Sequence, residues 1–324
     1  MRVLLTGATG FVGPHVARTL RARRGDDLEI VATSMVAQTH PLFGDVAALD
    51  IGDNDAVRAV VRAYAPTHVI NLAGIAATSA AQAEPATAWR VHRDGVRNLG
   101  SAIMDLAPDC VLLHVGSGLI YGSAAKSGLP LSEDSPLEPV DEYGASKAAG
   151  DLLLGEMARE GLRCVRFRPF NHTGPGQSEA FVVPRFGAQI ARIEAGLAPP
   201  IVKVGNLDSE RDFLDVRDVA DAYAAAFMAD GVESGSIFNV ASGVPTRIAD
   251  ILDRLLAKSA AKIGIEANKG PFNPADLPRV VGDASRARRL LNWAPRRDLD
   301  ETLTDVLEDQ RAVVAARGRR QAAR

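Results

Sequence analysis

The feature that most constrains the fold is a glycine-rich turn at residues 6–13, "TGATGFVG". The apolar run "RVLLTG" leads into it and predicts a buried strand, and "PHVARTLRARR" follows it with helical periodicity. Gly7 permits a tight turn, Gly10 lets a phosphate approach the backbone, and Gly13 lets the helix lie close to the strand. The amino terminus of that helix offers N–H groups to an anion. The turn therefore predicts a dinucleotide-binding unit.

Apolar, strand-like runs alternate with helical patterns up to Pro169: "LEIVATS", "THVINLAG", "DCVLLHVGS" and "LRCVRFRP". This alternation predicts an α/β fold, a doubly wound parallel sheet of the Rossmann type. Beyond Pro169, Gly, Pro and Asn become common, although helix and strand patterns persist. We predict a dinucleotide-binding domain at 1–169 and a smaller, mostly substrate-binding region at 170–324, from which 213–240 return to the first domain.

Composition excludes several classes of protein. The 324 residues, 47% hydrophobic and 24% charged, can bury a large core. A net charge of -3 gives no attraction to nucleic acid, and no run reaches the roughly 18 apolar residues of a membrane span. Cys110 and Cys164 lie in strand-like runs, so we expect buried, reduced thiols and a cytoplasmic protein. Nucleic-acid, membrane and metal partners are not expected.

A tyrosine and a lysine, Tyr143 and Lys147, stand four residues apart in "DEYGASKAAG" and share one face of a predicted helix. A nearby ammonium lowers the pKa of a phenol from about 10, which suits the phenol for proton exchange at a carbonyl or hydroxyl oxygen. A surface pair without function has the same spacing. Ser117, in "HVGSGLIYG", follows a buried strand, where open α/β sheets place their chemistry. Together the three residues predict a catalytic site.

With the glycine turn, Ser117, Tyr143 and Lys147 resemble the extended short-chain dehydrogenase/reductases. The resemblance implies NAD or NADP as cofactor. In that family an Asp after the second strand often accompanies NAD, but Thr33 and Ser34 stand there, and no Arg or Lys lies in residues 30–57. The preference between the two cofactors is therefore left open. The cofactor-binding residues that the resemblance implies are Gly7, Gly10, Phe11, Val12, Gly13, Asp50, Ile51, Leu72, Ala73, Gly74, Tyr143, Lys147 and Pro169.

The segments "RPFNHTGPGQ" and "VGNLDSERDFLDVRDV" resemble the branch of GDP-mannose 4,6-dehydratases and GDP-6-deoxy-4-keto-hexose reductases. Arg185, in "EAFVVPRFGAQIARIEAG", and Arg211, in the second of these segments, suit a diphosphate, although solvated surface arginines are the alternative. Where the branch carries an Arg and an Asn, this chain has Asn273 and His92; we assign His92 a structural role. The substrate-binding residues that the resemblance implies are Ser117, Asn171, Val183, Arg185, Arg211 and Asp276.

The residues after Ser117 narrow the activity that the resemblance implies. Dehydratases of the family carry an acidic residue next, where this chain has Gly118, and epimerase-reductases carry a Cys where it has Leu119. What remains is NAD(P)H-dependent reduction of the C4 keto group of a GDP-4-keto-6-deoxy-hexose to a GDP-6-deoxy-hexose of the GDP-rhamnose type, by a homodimer. The alternatives are a nucleotide-sugar 4-epimerase with tightly bound NAD and a non-catalytic dinucleotide sensor, although such sensors typically lose the Tyr or Lys.

Overall fold

The structure is a computed structural model that describes residues 1–227, 229, 231–267 and 277–322. Its strands are β1 (Arg2–Thr6), β2 (Glu29–Ser34), β3 (Gln38–His40), β4 (Gly44–Ala48), β5 (His68–Asn71), β6 (Val111–Val115), β7 (Cys164–Pro169), β8 (Asn171–Thr173), β9 (Ile201–Val204), β10 (Glu210–Asp215), β11 (Ser236–Val240), β12 (Pro245–Arg247), β13 (Gly264–Ala267) and β14 (Arg279–Val280). Its α-helices are α1 (Gly13–Arg24), α2 (Asn54–Tyr64), α3 (Thr78–Ala83), α4 (Pro85–Trp89), α5 (Gly95–Leu106), α6 (Glu142–Arg159), α7 (Val182–Glu194), α8 (Val216–Ala226), α9 (Ile248–Leu256), α10 (Ser285–Leu291) and α11 (Leu299–Ala322).

The central sheet has the strand order β11-β7-β6-β5-β1-β2-β4-β3. Its neighbouring strands run parallel except β3, which pairs antiparallel with β4. From β1 the chain winds outward first to one side, through β2 and β4, and then to the other, through β5, β6 and β7. The predicted doubly wound parallel sheet is therefore confirmed. Such an order creates a crevice at the carboxyl ends of the strands, beside the central strand β1.

Both faces of the sheet are covered by helices. Val3 and Leu5 of β1 join a core cluster with residues of α1 and α8, whereas Leu4, between them, joins a cluster with residues of α2, α5 and α6. All three side chains are fully buried. Successive strand residues point to opposite faces, so a strand covered on both sides must be apolar at every position. This requirement explains why the strands read as continuous apolar runs in the sequence.

The chain after β7 builds a smaller region and also returns to the central sheet. Strand β10 lies between β12 and β14 in a second sheet, β8 also pairs with β10, and β9 pairs with β13. Helices α7, α9 and α11 pack around a third apolar cluster there. Helix α8 packs against α1, and β11 lies parallel to β7 at the edge of the central sheet. The predicted domain boundary at residue 169 stays a prediction.

Three local features complete the description: the cap of α2, the state of the two cysteines, and the length and hydrophobicity of the helices. Asp53 caps α2, and its carboxylate accepts from the N–H groups of Asp55 (3.0 Å) and Ala56 (3.1 Å). Cys110 and Cys164 are buried and unpaired, and burial raises the pKa of Cys110 to about 12. Within the described ranges, no helix is both long enough and apolar enough to cross a membrane.

Candidate active site

A cavity of about 470 Å³ opens at the carboxyl ends of the parallel strands. Its wall is built by the turn after β1, the ends of β2, β5, β6 and β7, and the first turns of α6. All thirteen residues predicted to bind the cofactor line this cavity, together with Ser117 and Asn171. The structure therefore brings the predicted catalytic and cofactor residues into one place. Their individual roles stay predictions.

The glycine turn leaves no room for side chains where it meets the rest of the chain. Gly7 has φ +65°, and a Cβ there would lie 2.8 Å from the Ala73 backbone nitrogen. A Cβ on Gly13 would overlap the Ala8 carbonyl oxygen. Helix α1 begins at Gly13, so its N-terminal end faces the cavity beside the backbone of Gly10. This arrangement fits the diphosphate of a dinucleotide, which such a turn and helix end bind through N–H groups.

The end of β2 presents neither a carboxylate nor a cation to the cavity. Ser34 and Met35 line it there. The Ser34 hydroxyl donates to the Val36 carbonyl oxygen (2.6 Å) and accepts from the Gln38 side-chain amide (3.2 Å). A carboxylate would bind ribose hydroxyls and repel a 2′-phosphate, and an arginine would bind that phosphate. With neither residue type present, this part of the cavity leaves open the preference between NAD and NADP.

The three predicted catalytic residues are buried against the cavity. Their exposed fractions are 7% for Ser117, 8% for Tyr143 and 6% for Lys147. Tyr143 and Lys147 lie in the first turns of α6, which Asp141 caps by accepting from the Gly144 N–H group (2.7 Å). The Ser117 oxygen accepts from the Leu119 N–H group (3.1 Å), and the Ser117 side chain also forms a hydrogen bond with Tyr143. The Lys147 ammonium donates to the Val115 carbonyl oxygen (3.2 Å).

The pKa values of this pair correct one expectation from the sequence. Burial raises the pKa of Tyr143, and the hydrogen bond with Ser117 opposes that rise only in part. Burial also lowers the pKa of Lys147 to about 8. The net shift of the Tyr143 pKa is therefore opposite to the lowering predicted from Lys147, because desolvation by burial is the largest influence on it. The tyrosine is held as a protonated phenol, the form that donates a proton.

His92 is only 1% exposed, and the structural role assigned to it from the sequence stays a prediction. It lies in a π-helical segment, Arg90–Asp94, between α4 and α5. Its Nε2 accepts from the Ile75 N–H group (3.0 Å), so its Nδ1 carries the proton that faces the Ser146 hydroxyl (2.9 Å). Burial and the charge of Lys147 lower the pKa of His92 to about 3. The neutral His92 ring thus links the loop after β5 to α6, the helix that carries Tyr143 and Lys147.

The residues predicted to bind substrate do not all reach the cavity. Asn171 lines it, but Val183 is buried in the third apolar cluster. Arg185 turns back to donate to the carbonyl oxygens of Glu179 (3.1 Å) and Ala180 (3.0 Å). Asp276, like Asn273, lies outside the described residues.

Arg211 lies on a strand beside the cavity. It pairs in register with Val280, which lines the cavity, and paired residues of neighbouring strands face the same side of a sheet. One of its guanidinium nitrogens donates to the Glu210 carbonyl oxygen (2.8 Å). The next residue, Asp212, is fully buried and accepts hydrogen bonds from Ser242 and from the N–H groups around it. This anchor fixes the backbone at Arg211.

Sequence reasoning missed several residues of the cavity wall. Thr9, His172, Gln177 and Phe181 line it. The His172 ring stacks on Phe11, with the ring centroids 6.0 Å apart. His172 and Gln177 stand in the motif "RPFNHTGPGQ", so the segment was recognised although these two side chains were not. Among the described residues, no group of three or more His, Cys, Asp or Glu side chains is placed to hold a metal ion.

Comparison with known proteins identifies the family. The family profile described as GDP-mannose 4,6 dehydratase matches residues 4–306. The chain belongs to this family. Its fold agrees with the extended short-chain dehydrogenase/reductases, and the expectation of an enzyme of that class is confirmed.

Individual relatives and solved structures are similar to this protein over nearly the whole chain. The GDP-6-deoxy-D-mannose reductase of Pseudomonas aeruginosa is 32% identical, covering 95% of this chain and 96% of that protein. A structure of RMD from Pseudomonas aeruginosa complexed with NADPH has a TM-score of 0.83 at 29% identity, covering 96% of this chain and 99% of that one. The UDP-glucose 4-epimerase of Thermus thermophilus, in complex with NAD, has a TM-score of 0.82 at 28% identity, with the same coverage.

Proposed function

We propose that this protein reduces the C4 keto group of a GDP-4-keto-6-deoxy-hexose, with NADPH or NADH as cofactor, to a GDP-6-deoxy-hexose of the GDP-rhamnose type. The observation that carries the proposal is Gly118, which directly follows Ser117. No carboxylate stands at this position, and a Cβ on Gly118 would lie 3.1 Å from the Phe170 ring, a contact so tight that the ring would have to shift by a few tenths of an ångström to admit a side chain. A dehydratase needs a base beside the carbonyl, whereas a ketone reduction does not. The similarity to a GDP-6-deoxy-D-mannose reductase supports the same reading.

The residues at the cavity fit the proton steps of this reduction. When bound, the reduced nicotinamide supplies a hydride to C4. In the proposed reduction the Ser117 O–H polarises the C4 carbonyl, and the Tyr143 phenol donates its proton to the oxygen as negative charge develops there. The Lys147 ammonium stabilises the phenolate that remains. The carbonyl thus gains one hydride at carbon and one proton at oxygen, and Tyr143 is reprotonated before the next turnover.

A 4-epimerase is the second candidate, because a UDP-glucose 4-epimerase shares the fold at 28% identity and a positioned phenol can take a proton as well as give one. An epimerase oxidises and then reduces the same carbon, so it turns over without added cofactor. A reductase consumes one reduced cofactor per product.

Absorbance of the reduced nicotinamide tests the proposal. Purified protein is mixed with NADPH or NADH and enzymatically made GDP-4-keto-6-deoxy-D-mannose, with UDP-glucose as the control substrate. We expect loss of absorbance in step with formation of a GDP-6-deoxy-hexose, and the ratio of the NADPH and NADH rates gives the preference. Conversion of UDP-glucose without added cofactor, and no absorbance loss with the GDP sugar, would instead establish the epimerase.

We further propose a cytoplasmic homodimer that pairs through the long helical segments α4–α5 and α6. Leu152 of α6 is 59% exposed, an apolar side chain on a helix that otherwise packs against the sheet. Two-fold pairing is the commonest oligomeric arrangement. Light scattering is expected to give about twice the chain mass of 34.2 kDa. Leu152→Glu should yield monomer, whereas Leu129→Glu, at a 70% exposed site elsewhere, should not. A wild-type monomer at micromolar concentration would contradict the pairing.

Arg211→Ala is expected to raise the KM for the GDP sugar by about 10- to 150-fold and to leave cofactor affinity unchanged. This is the range for losing a charge-assisted bond to a phosphate. Arg211→Lys should reverse only part of the rise in KM, because the single charge of an ammonium cannot reproduce the planar set of N–H donors of a guanidinium. Arg279→Ala is the matched control, since Arg279 precedes Val280 on the neighbouring strand and faces the opposite side of that sheet.

Salt separates direct contact by Arg211 from electrostatic steering. Steering fades once ionic strength exceeds about 0.15 M, where the Debye length is about 8 Å. If Arg211 contacts the diphosphate directly, most of the rise in KM of Arg211→Ala should persist above that ionic strength. A defect that vanishes at high salt would exclude the diphosphate contact.

A further inference from the structure

A buried guanidinium, that of Arg168, joins the elements that carry the catalytic groups. Its side chain is 3% exposed and binds the fully buried Asp151 carboxylate through two bonds, from Nε to Oδ2 (3.0 Å) and from Nη2 to Oδ1 (2.7 Å). Its Nη1 donates to the Tyr121 hydroxyl (3.0 Å) and to the Glu133 carbonyl oxygen (3.2 Å). The Tyr121 hydroxyl donates in turn to Asn239 Oδ1 (2.7 Å). These five residues form what we call the Arg168 junction.

Two partners of the guanidinium in the Arg168 junction, Asp151 and Tyr121, belong to elements that carry catalytic residues. Asp151 lies one helical turn beyond Lys147 on α6, so the guanidinium holds the helix that carries the lysine and the tyrosine. Tyr121 ends the short 3₁₀ turn Gly118–Tyr121, which Ser117 caps. Arg168 itself stands at the end of β7, directly before the residues that line the cavity.

We propose that Tyr121 is a positioning residue that acts through the Arg168 junction to hold Ser117 in place relative to the catalytic helix. Its hydroxyl is the point at which the turn after Ser117 is bonded to the guanidinium. Its ring stacks on Phe170, with the centroids 6.2 Å apart, and a phenylalanine keeps that contact. The inference goes beyond the proposed substrate, since any reaction performed by Ser117 and Tyr143 requires their alignment.

Tyr121→Phe removes one oxygen and is expected to lower kcat by about 10- to 100-fold, because a displacement near 1 Å costs up to about 10²-fold in rate. Cofactor affinity should not change. The matched control is Tyr223→Phe. Both tyrosines are fully buried, but within the described part of the chain the Tyr223 hydroxyl has no hydrogen-bond partner. The same chemical change should therefore leave kcat within about two-fold of wild type.

A double-mutant cycle with Ser117→Ala distinguishes positioning of Ser117 from general destabilisation. If Tyr121 acts by positioning the Ser117 hydroxyl, that hydroxyl is already absent from Ser117→Ala. Adding Tyr121→Phe to Ser117→Ala should then change kcat by no more than about two-fold. A purely structural role gives the same loss in both backgrounds. That result, or a Tyr121→Phe variant as active as Tyr223→Phe, overturns the proposal.

An activity-independent measurement keeps this inference separate from the proposed function. Amide hydrogen exchange across residues 117–122 should be faster in Tyr121→Phe than in wild type and unchanged in Tyr223→Phe, because the 3₁₀ turn loses its bond to the guanidinium. Failure of the wild-type protein to reduce the GDP sugar would contradict the proposed function, but it would not affect the comparison of exchange rates between Tyr121→Phe and Tyr223→Phe. Unchanged exchange in the Tyr121 variant would refute the positioning role.

Discussion

Tyr143→Phe is expected to abolish most turnover, with kcat lowered by about 10²- to 10⁴-fold, while binding of the reduced cofactor is preserved. The structure gives the reason for both outcomes. The ring packs edge-on against His92, with the centroids 5.6 Å apart, and it is buried with Ala81 and Ala88, so a phenylalanine keeps these contacts. What disappears is the phenol proton, which burial holds in place by raising the pKa of Tyr143.

The measurement pairs a cofactor titration, followed by nicotinamide fluorescence, with a turnover assay. Tyr64→Phe serves as the control, because Tyr64 ends α2 and does not line the cavity. A Tyr143→Phe variant within a few-fold of wild type would remove Tyr143 from the mechanism. Loss of cofactor binding would point instead to a role in shaping the cavity.

Lys147→Met is expected to lower turnover by at least about 10²-fold and, at neutral pH, to make the protein more stable. Burial lowers the pKa of Lys147 from 10.5 to about 8, so the folded state disfavours the ammonium. At about 1.4 kcal/mol for each pKa unit, the cost is on the order of 3 kcal/mol. Methionine fills a similar volume without a charge. The lysine would thus serve function at the expense of stability.

The pH dependence of the stability difference tests this cause. Because the folded-state pKa lies below the unfolded one, the cost is fully present below about pH 8 and disappears as the pH rises through about 10.5. The free energies of unfolding of wild type and Lys147→Met should therefore differ most near pH 7 and converge above about pH 10.5. The exposed Lys126 provides a control, Lys126→Met, which should change stability little. A difference that is constant across this range would show that the buried charge is not its source.

Much of the fold, and the grouping of the candidate site residues around one cavity, was predictable because the signals are local. A glycine turn between a strand and a helix, apolar runs of strand length, and the four-residue spacing of Tyr143 and Lys147 each depend on a few neighbouring residues. Parallel strands then bring their carboxyl ends together, so Ser117 and Pro169 meet at one cavity although they lie far apart in sequence.

What the sequence did not reveal depends on tertiary environment. Val183 and Arg185 lie two residues apart on α7, and only the packing of that helix decides that one is buried and that the other turns to nearby carbonyl groups. The Tyr143 pKa depends on how much water its surroundings exclude. Arg168 alternates with apolar residues in β7, a pattern that predicts a surface charge. Its burial is possible because it pairs with the Asp151 carboxylate of α6.

The position of β11 has a consequence for how the chain is made. Strand β7, which ends at Pro169, acquires its outer neighbour only when Ser236–Val240 have been synthesised, after β8, α7, β9, β10 and α8. Until then the backbone of β7 presents an unpaired edge, the kind of surface that recruits strands from other chains. A nascent chain, or a fragment cut at the apparent boundary near residue 169, would therefore be prone to aggregate. Expression of the amino-terminal half alone should require either the later strand supplied in trans or a charged substitution along that edge.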